Sequence, residues 1–101
     1  VLQRLLKTID ERKIADPNTS YTSSLLAHSP EKPLRKLSEE VTELLIDALK
    51  GDVKAATKEA ADVFYHYLVV LAALNIPFTE VLSELEQRQG ISGHEEKQNR
   101  S

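Results

Sequence analysis

The sequence contains no cysteine, so no disulfide staples this chain of 101 residues, and that absence fits a reducing compartment. No apolar stretch is as long as a transmembrane helix, and the first residues do not follow the signal-peptide pattern. The formal net charge is -3, so no excess of basic residues is available for duplex nucleic acid. These absences predict a cytoplasmic protein with neither a membrane nor a nucleic acid as its partner.

Several local motifs of catalysis are also missing. The chain has no glycine-rich phosphate loop, no nucleophile elbow and no cysteine nucleophile. A di-iron bundle needs a Glu-x-x-His on each of two helices, whereas here His66 follows Asp62 by four residues. We therefore expect His66 to be a hydrogen-bonded core residue rather than a metal ligand, and His28 and His94 to lie at the surface.

Only three glycines and four prolines interrupt a chain that shows no strand signal. Apolar spacing predicts helices over residues 1–15, 21–27, 32–50 and 53–74, and a fifth that runs to about residue 88. Ser20, Asp52 and Thr79 are the expected caps of the second, fourth and fifth helices, and Gly51 suits the end of the third. The predicted fold is a single all-α domain over residues 1–101, a bundle of about five helices with a polar C-terminal tail at residues 90–101.

The fourth predicted helix is apolar around most of its circumference. From Val63 to Leu74 only His66 is clearly polar. A helix that is apolar on all sides must be covered on all sides, and four other helices of this length could hardly do so within one subunit. We therefore expect the bundle to be completed by homo-oligomerisation, most simply as a C2 homodimer.

Two acidic clusters flank Gly51, with the sequences EEVTE at residues 39–43 and EAAD at residues 59–62. Glu43 and Glu59 each lie eight residues from this glycine, and Glu40 and Asp62 each lie eleven residues from it. If the two helices fold back on each other, their carboxylates face one another, which is unfavourable without a cation between them. Hard divalent cations prefer such oxygen ligands. The EEVTE cluster alone is typical of a solvated acidic helix face, but the two clusters together favour a metal site.

The order EEVTE, fifteen residues, EAAD resembles the EExxE…ExxD pattern of the all-α nucleoside triphosphate pyrophosphohydrolases. That superfamily includes MazG-like enzymes, dimeric dUTPases and phosphoribosyl-ATP pyrophosphohydrolase. The flanking segments are similar to those of the last family: SYTSSLL at 20–26, RKLSEE at 35–40, ADVFYH at 61–66 and SGHEEKQNR at 92–100. The similarity runs from about Leu5 to Arg100. Ser38 and Val41 depart from the glycine and alanine that are frequent at these positions, and neither is an expected ligand.

This resemblance implies hydrolysis of phosphoribosyl-ATP to phosphoribosyl-AMP and pyrophosphate, the second step of histidine biosynthesis. It implies Mg2+ as the cofactor, with Mn2+ as an alternative, because four carboxylates cannot bind an anionic triphosphate unless metal ions bridge them. The implied metal ligands are Glu40, Glu43, Glu59 and Asp62. Glu39 is a candidate for orienting or deprotonating the attacking water, with Asp47 as an alternative in a supporting role. The candidates for contact with the nucleotide are Lys36, Tyr21, Thr22, Lys97 and Arg100.

Two other functions remain open at this point. A MazG-like house-cleaning pyrophosphatase would keep the same acidic motif and metal chemistry but would act on a different nucleotide. A non-enzymatic helical dimerisation module would present the same carboxylates as a solvated face and would show no Mg2+-dependent activity.

Overall fold

Five α-helices make up the part of the chain that the structure describes, which is residues 1–13, 20–27 and 30–89 of a computed structural model. They are α1 (Leu2–Arg12), α2 (Tyr21–Leu26), α3 (Glu31–Lys50), α4 (Val53–Ala73) and α5 (Phe78–Arg88). These described ranges contain no strand, so the prediction of an all-α fold is confirmed. The predicted tail at 90–101, His28 and His94 all lie outside the described residues.

Local sequence signals set three of the helix ends. Ser20 caps α2, because its side-chain oxygen accepts a hydrogen bond from the backbone N–H of Ser23 at 3.3 Å. Asp52 caps α4 in the same way, with Oδ1 accepting from the N–H of Ala55 at 3.0 Å. Gly51 ends α3 in the left-handed conformation, with φ 73 and ψ 17, which glycine adopts without a side-chain clash. All three predictions are confirmed.

The start of α5 differs from the prediction. The helix begins at Phe78, and Pro77 occupies the capping position with an extended backbone and no side-chain cap. Thr79 therefore lies inside the helix, and the prediction that it caps α5 is wrong. Proline sets this boundary because its fixed φ suits the residue that leads into a helix and its missing N–H removes a donor that would have no partner there.

The contact between α3 and α4 is the most extensive helix–helix contact in the fold. Since only Gly51 and Asp52 separate the two helices, they form an antiparallel hairpin. The hydrophobic core lies against the C-terminal half of α4, where α1 and α2 pack on it, and its buried members are Ile9, Leu25, Leu68, Val69 and Leu71. The hairpin therefore leaves the N-terminal half of α4 facing α3, at a distance from this core.

Exposed apolar side chains remain on both long helices. On α4, Val53 is 76% and Phe64 is 41% exposed, whereas α1 and α2 cover the C-terminal half of this helix. On α3, Leu45 is 59% and Leu49 is 89% exposed. The apolar surface that a second subunit would cover therefore lies on α3 as well as on α4.

The helices differ from membrane-spanning helices in length and hydropathy. No single helix in the described ranges is long and apolar enough to cross a membrane. By length and composition, α4 and α5 meet that requirement only as a pair, which is bent by 108°.

Candidate metal centre

Three carboxylates converge between α3 and α4. Glu40 and Glu43 lie one turn apart on α3, and Glu59 approaches them from α4. One oxygen atom from each of the three side chains lies within 4.8 Å of the other two. The turn at residues 51–52 brings them together, because it folds α4 back along α3. We call Glu40, Glu43 and Glu59 the carboxylate group.

The convergence of the three carboxylates changes the protonation of Glu59. Its Oε2 atom is shielded from solvent and accepts no hydrogen bond. The pKa of Glu59 is raised from 4.5 to about 7, first by a hydrogen bond that its protonated form donates to Glu40, then by burial and by the negative charges of Glu43 and Glu40. When all three groups are ionised they are acceptors only, so no such bond exists between them. The carboxylate group therefore needs either a proton or a cation.

This set of donors fits a hard divalent cation. All the available atoms are carboxylate oxygens, and one of them, Glu59 Oε2, is removed from water without a partner. Divalent cations such as Mg2+ and Mn2+ take oxygen ligands of this kind. A bound cation would take the place of the proton that Glu59 otherwise holds.

Asp62, the fourth implied ligand, is placed differently. It lies one turn beyond Glu59 on α4, its side chain is exposed, and its carboxylate does not belong to the carboxylate group. Glu40 lies beside Glu59 as well as Glu43, and the expected pairing of Glu40 with Asp62 stays a prediction. Two glutamates one turn apart are neighbours on a helix surface, so a single long side chain from α4 reaches both. Ligation by Asp62 stays a prediction.

Lys36 and Glu39 form an ion pair at the edge of the carboxylate group. Lys36 Nζ donates to Glu39 Oε2 at 3.4 Å. The hydrogen bond to Glu39 raises the pKa of Lys36, and the negative charge of Glu39 raises it further. Both side chains are well exposed, and an exposed pair of this kind contributes little to stability. Lys36 is therefore a fully charged cation that is available close to the carboxylates.

Two side-chain hydrogen bonds connect α2 to α4, and the sequence did not predict them. Tyr21 Oη bonds to His66 Nε2 at 3.2 Å, and Thr22 Oγ1 bonds to the hydroxyl of Tyr65. His66 is only 5% exposed, and its Nδ1 donates to the backbone carbonyl of Asp62 at 2.8 Å. The expectation that His66 is a hydrogen-bonded core residue is confirmed.

Two of the predicted contacts, Lys97 and Arg100, fall outside the described residues. A cavity of about 670 Å³ lies between α1 and the junction of α4 with α5, and none of the described residues that line it belongs to the predicted site. The sequence analysis did not single out Tyr65, which contacts Thr22 and Tyr21 in the structure. Its position next to His66, at the end of the ADVFYH segment, could have indicated it.

Comparison with known proteins identifies the family of this chain. A family model described as phosphoribosyl-ATP pyrophosphohydrolase matches residues 2–89. The phosphoribosyl-ATP pyrophosphatase of Dinoroseobacter shibae is 55% identical over 99% of this chain and 98% of its own length. The enzymes of that name from Roseobacter denitrificans and Cereibacter sphaeroides are 52% and 50% identical, over 98% and 99% of this chain and 94% and 97% of their own lengths. The chain therefore belongs to the phosphoribosyl-ATP pyrophosphohydrolase family.

Proposed function

We propose that this protein hydrolyses phosphoribosyl-ATP to phosphoribosyl-AMP and pyrophosphate, the second step of histidine biosynthesis. The observation that carries the proposal is the convergence of Glu40, Glu43 and Glu59 within 4.8 Å of one another in a chain of this family. The products define the bonds that change. A P–O bond forms from water to the phosphoribosyl-AMP portion, and the anhydride bond to pyrophosphate breaks.

We propose that Glu40, Glu43, Glu59 and Asp62 hold Mg2+, with Mn2+ as the alternative. The bound ion would polarise the phosphoryl group and neutralise the leaving pyrophosphate. The negative charges of the four carboxylates attract the cation. Without the cation, these carboxylates would repel the triphosphate. Support for the first three ligands comes from their convergence, and support for Asp62 comes from its place in the family pattern.

The other proposed site residues that the structure describes lie on α2 and α3. Glu39 is the proposed group that orients or deprotonates water, since its exposed carboxylate lies on the same helix as Glu40 and next to it. Lys36, one turn before Glu40, carries the positive charge proposed to contact a phosphate oxygen. Tyr21 and Thr22 are the proposed nucleotide contacts from α2. Lys97 and Arg100 stay predictions.

Substrate preference tests the proposal. With Mg2+ present, we expect pyrophosphate release from phosphoribosyl-ATP with a kcat/KM at least about a hundredfold above that for dUTP or dCTP, a difference of the size that polar recognition of a substrate can give. Coupled detection of pyrophosphate measures all three. A preference for either deoxynucleotide would favour the MazG-like alternative. No turnover of any of the three would favour the dimerisation module.

We further propose a homodimer that covers the outer face of α3. Support comes from the exposed Leu45 and Leu49, because apolar surface of this kind marks protein interfaces. Light scattering at micromolar concentration is expected to give about twice the 11.3 kDa of one chain. Leu49→Glu is expected to shift the mass towards 11.3 kDa, because it buries a charge at the interface.

The control for this experiment is Gln3→Glu, which introduces the same charge at an exposed position on α1. It is expected to keep the mass of the wild type. A wild-type protein that scatters as a monomer would contradict the dimer, and so would equal dissociation of both variants.

A further inference from the structure

His66 is a buried imidazole with both ring nitrogens engaged. Nδ1 lies 2.8 Å from the backbone carbonyl of Asp62, and Nε2 lies 3.2 Å from the hydroxyl of Tyr21. A carbonyl oxygen can only accept, so Nδ1 carries the proton. In the neutral ring Nε2 then holds the lone pair, and the hydroxyl of Tyr21 donates to it. The bond to Asp62 fixes the plane of the ring, and the ring in turn directs the phenol of Tyr21.

Tyr21 depends on this contact for its orientation. It lies on α2, a helix of six residues, which is too short to hold its conformation without tertiary contacts. Its ring stacks on that of Tyr65, with centroids 6.4 Å apart and planes at 23°, and it meets the edge of His66 at 6.0 Å. Even so, Tyr21 is 51% exposed. Its orientation is fixed from one side, and a large part of the residue remains open to a ligand.

Tyr21 lies next to the turn of α4 that follows Asp62, because its hydroxyl bonds to His66 and His66 bonds to the backbone carbonyl of Asp62. Burial raises the pKa of the Tyr21 phenol, the charge of Lys36 opposes this shift, and the charges of Tyr65, Glu40 and Glu39 add to it. The phenol is therefore neutral and within electrostatic reach of both Lys36 and Glu40. A nucleotide whose phosphates lie at the carboxylates has one large neutral aromatic part, its base, and an aromatic side chain is a stacking partner for any base.

We propose that His66 is a positioning residue, which holds the ring of Tyr21 at the rim of the carboxylate group so that this ring stacks on the purine base of the nucleotide. The proposal rests on the proposed function, because that function places a purine nucleotide at this site. Recognition of the substrate then has two parts. Tyr21, held by His66, contacts the base, and the carboxylate group acts on the phosphates through the bound cation.

Calorimetric titration with adenosine monophosphate and, separately, with pyrophosphate, both in excess Mg2+, tests this division. Neither ligand needs to be turned over. Tyr21→Ala is expected to weaken adenosine monophosphate about tenfold, which is within the range for loss of one base–aromatic stack. Pyrophosphate, which has no base, is expected to keep its affinity within about twofold in every variant.

Two substitutions of His66 separate positioning from a general structural role. In His66→Asn the amide nitrogen takes the place of Nδ1 and still donates to the carbonyl of Asp62, but nothing reaches Tyr21. In His66→Gln the longer side chain places an acceptor near the position of Nε2 and restores the bond to Tyr21. We expect adenosine monophosphate to bind about fivefold more weakly to His66→Asn and within about twofold of the wild type to His66→Gln.

Several results would overturn the proposal: equal weakening of both ligands, undiminished binding of adenosine monophosphate by Tyr21→Ala, or no binding of it by the wild type. Undiminished binding by His66→Asn, or equal weakening by His66→Asn and His66→Gln, would overturn it too. If His66→Asn fails to fold, Tyr21→Phe provides the test, because it keeps the ring but lacks the hydroxyl that bonds to His66, and it is expected to bind adenosine monophosphate as weakly as His66→Asn. A wild type that binds adenosine monophosphate through Tyr21 but does not hydrolyse phosphoribosyl-ATP would refute the proposed function and leave the stacking of the base on Tyr21 in place. If the wild type hydrolyses phosphoribosyl-ATP and Tyr21→Ala binds both ligands as the wild type does, the positioning role is refuted and the proposed function is not.

Discussion

Glu59→Gln is expected to lower the turnover of phosphoribosyl-ATP by at least about a hundredfold. Replacement of residues that only support metal ligands already costs about 10–100-fold in affinity or activity, and Glu59 is a proposed ligand. The glutamine keeps the shape of the side chain but lacks the negative charge that attracts the cation. Initial rates of pyrophosphate release at saturating Mg2+ measure the loss, and higher Mg2+ is expected to restore only part of it.

A matched control distinguishes this loss from a general effect of charge. Glu11→Gln removes the same charge from an exposed position on α1, outside the carboxylate group, and is expected to keep wild-type rates. Folding should not explain the loss, because Glu59→Gln removes a mutual repulsion and leaves the core intact. Wild-type turnover by Glu59→Gln, or an equal loss in the Glu11 variant, would exclude Glu59 as a ligand.

The second large effect is a dependence of stability on pH that Mg2+ reverses. In the metal-free fold the pKa of Glu59 is about 7, above its ordinary 4.5. Between these values the folded chain keeps a proton that the unfolded chain has released. The free energy of unfolding therefore falls as the pH rises from about 4.5 to about 7. The stabilisation that the proton on Glu59 gives at low pH is lost above that range. Mg2+ competes with the proton, so its stabilising effect grows over the same interval.

Thermal unfolding followed by circular dichroism at several pH values, in chelator and in Mg2+, measures both trends. Above pH 7, Mg2+ at a hundredfold excess over its dissociation constant is expected to raise Tm by roughly 10 °C or more. In chelator, the Tm of the wild type is expected to fall relative to the Tm of Glu59→Gln as the pH rises. A constant difference between them, or an Mg2+ effect of the same size in both proteins, would contradict the role given to Glu59.

Much of the candidate metal centre could be predicted because the convergence of its carboxylates depends on helical periodicity and one turn. The pair Gly51-Asp52 carries the chemistry of a helix stop and a helix start, and spacing then brings Glu43 and Glu59 to the same level of the hairpin. Spacing does not determine side-chain direction. Spacing matched Glu59 with Glu43 alone, whereas in the structure Glu59 lies close to both Glu43 and Glu40, because the packing of two helices and the reach of each side chain decide which oxygens meet.

Contacts between distant segments were beyond sequence reasoning. Tyr21 and His66 are 45 residues apart, and Thr22 and Tyr65 are 43 apart, so no local period connects them. They meet only because α2 docks on α4. The same limit applies to α4 itself: its apolar residues could be counted from the sequence, but the neighbours that cover them could not.

Pyrophosphate release from phosphoribosyl-ATP, with excess Mg2+, with excess chelator and after Mg2+ is restored, tests the proposed role of the carboxylate group most directly. We expect release with Mg2+, no release above background in chelator, and recovery of the original rate when Mg2+ is returned. Release that continues unchanged in chelator, or no release with Mg2+ present, would contradict a cation held by Glu40, Glu43 and Glu59 as the basis of hydrolysis.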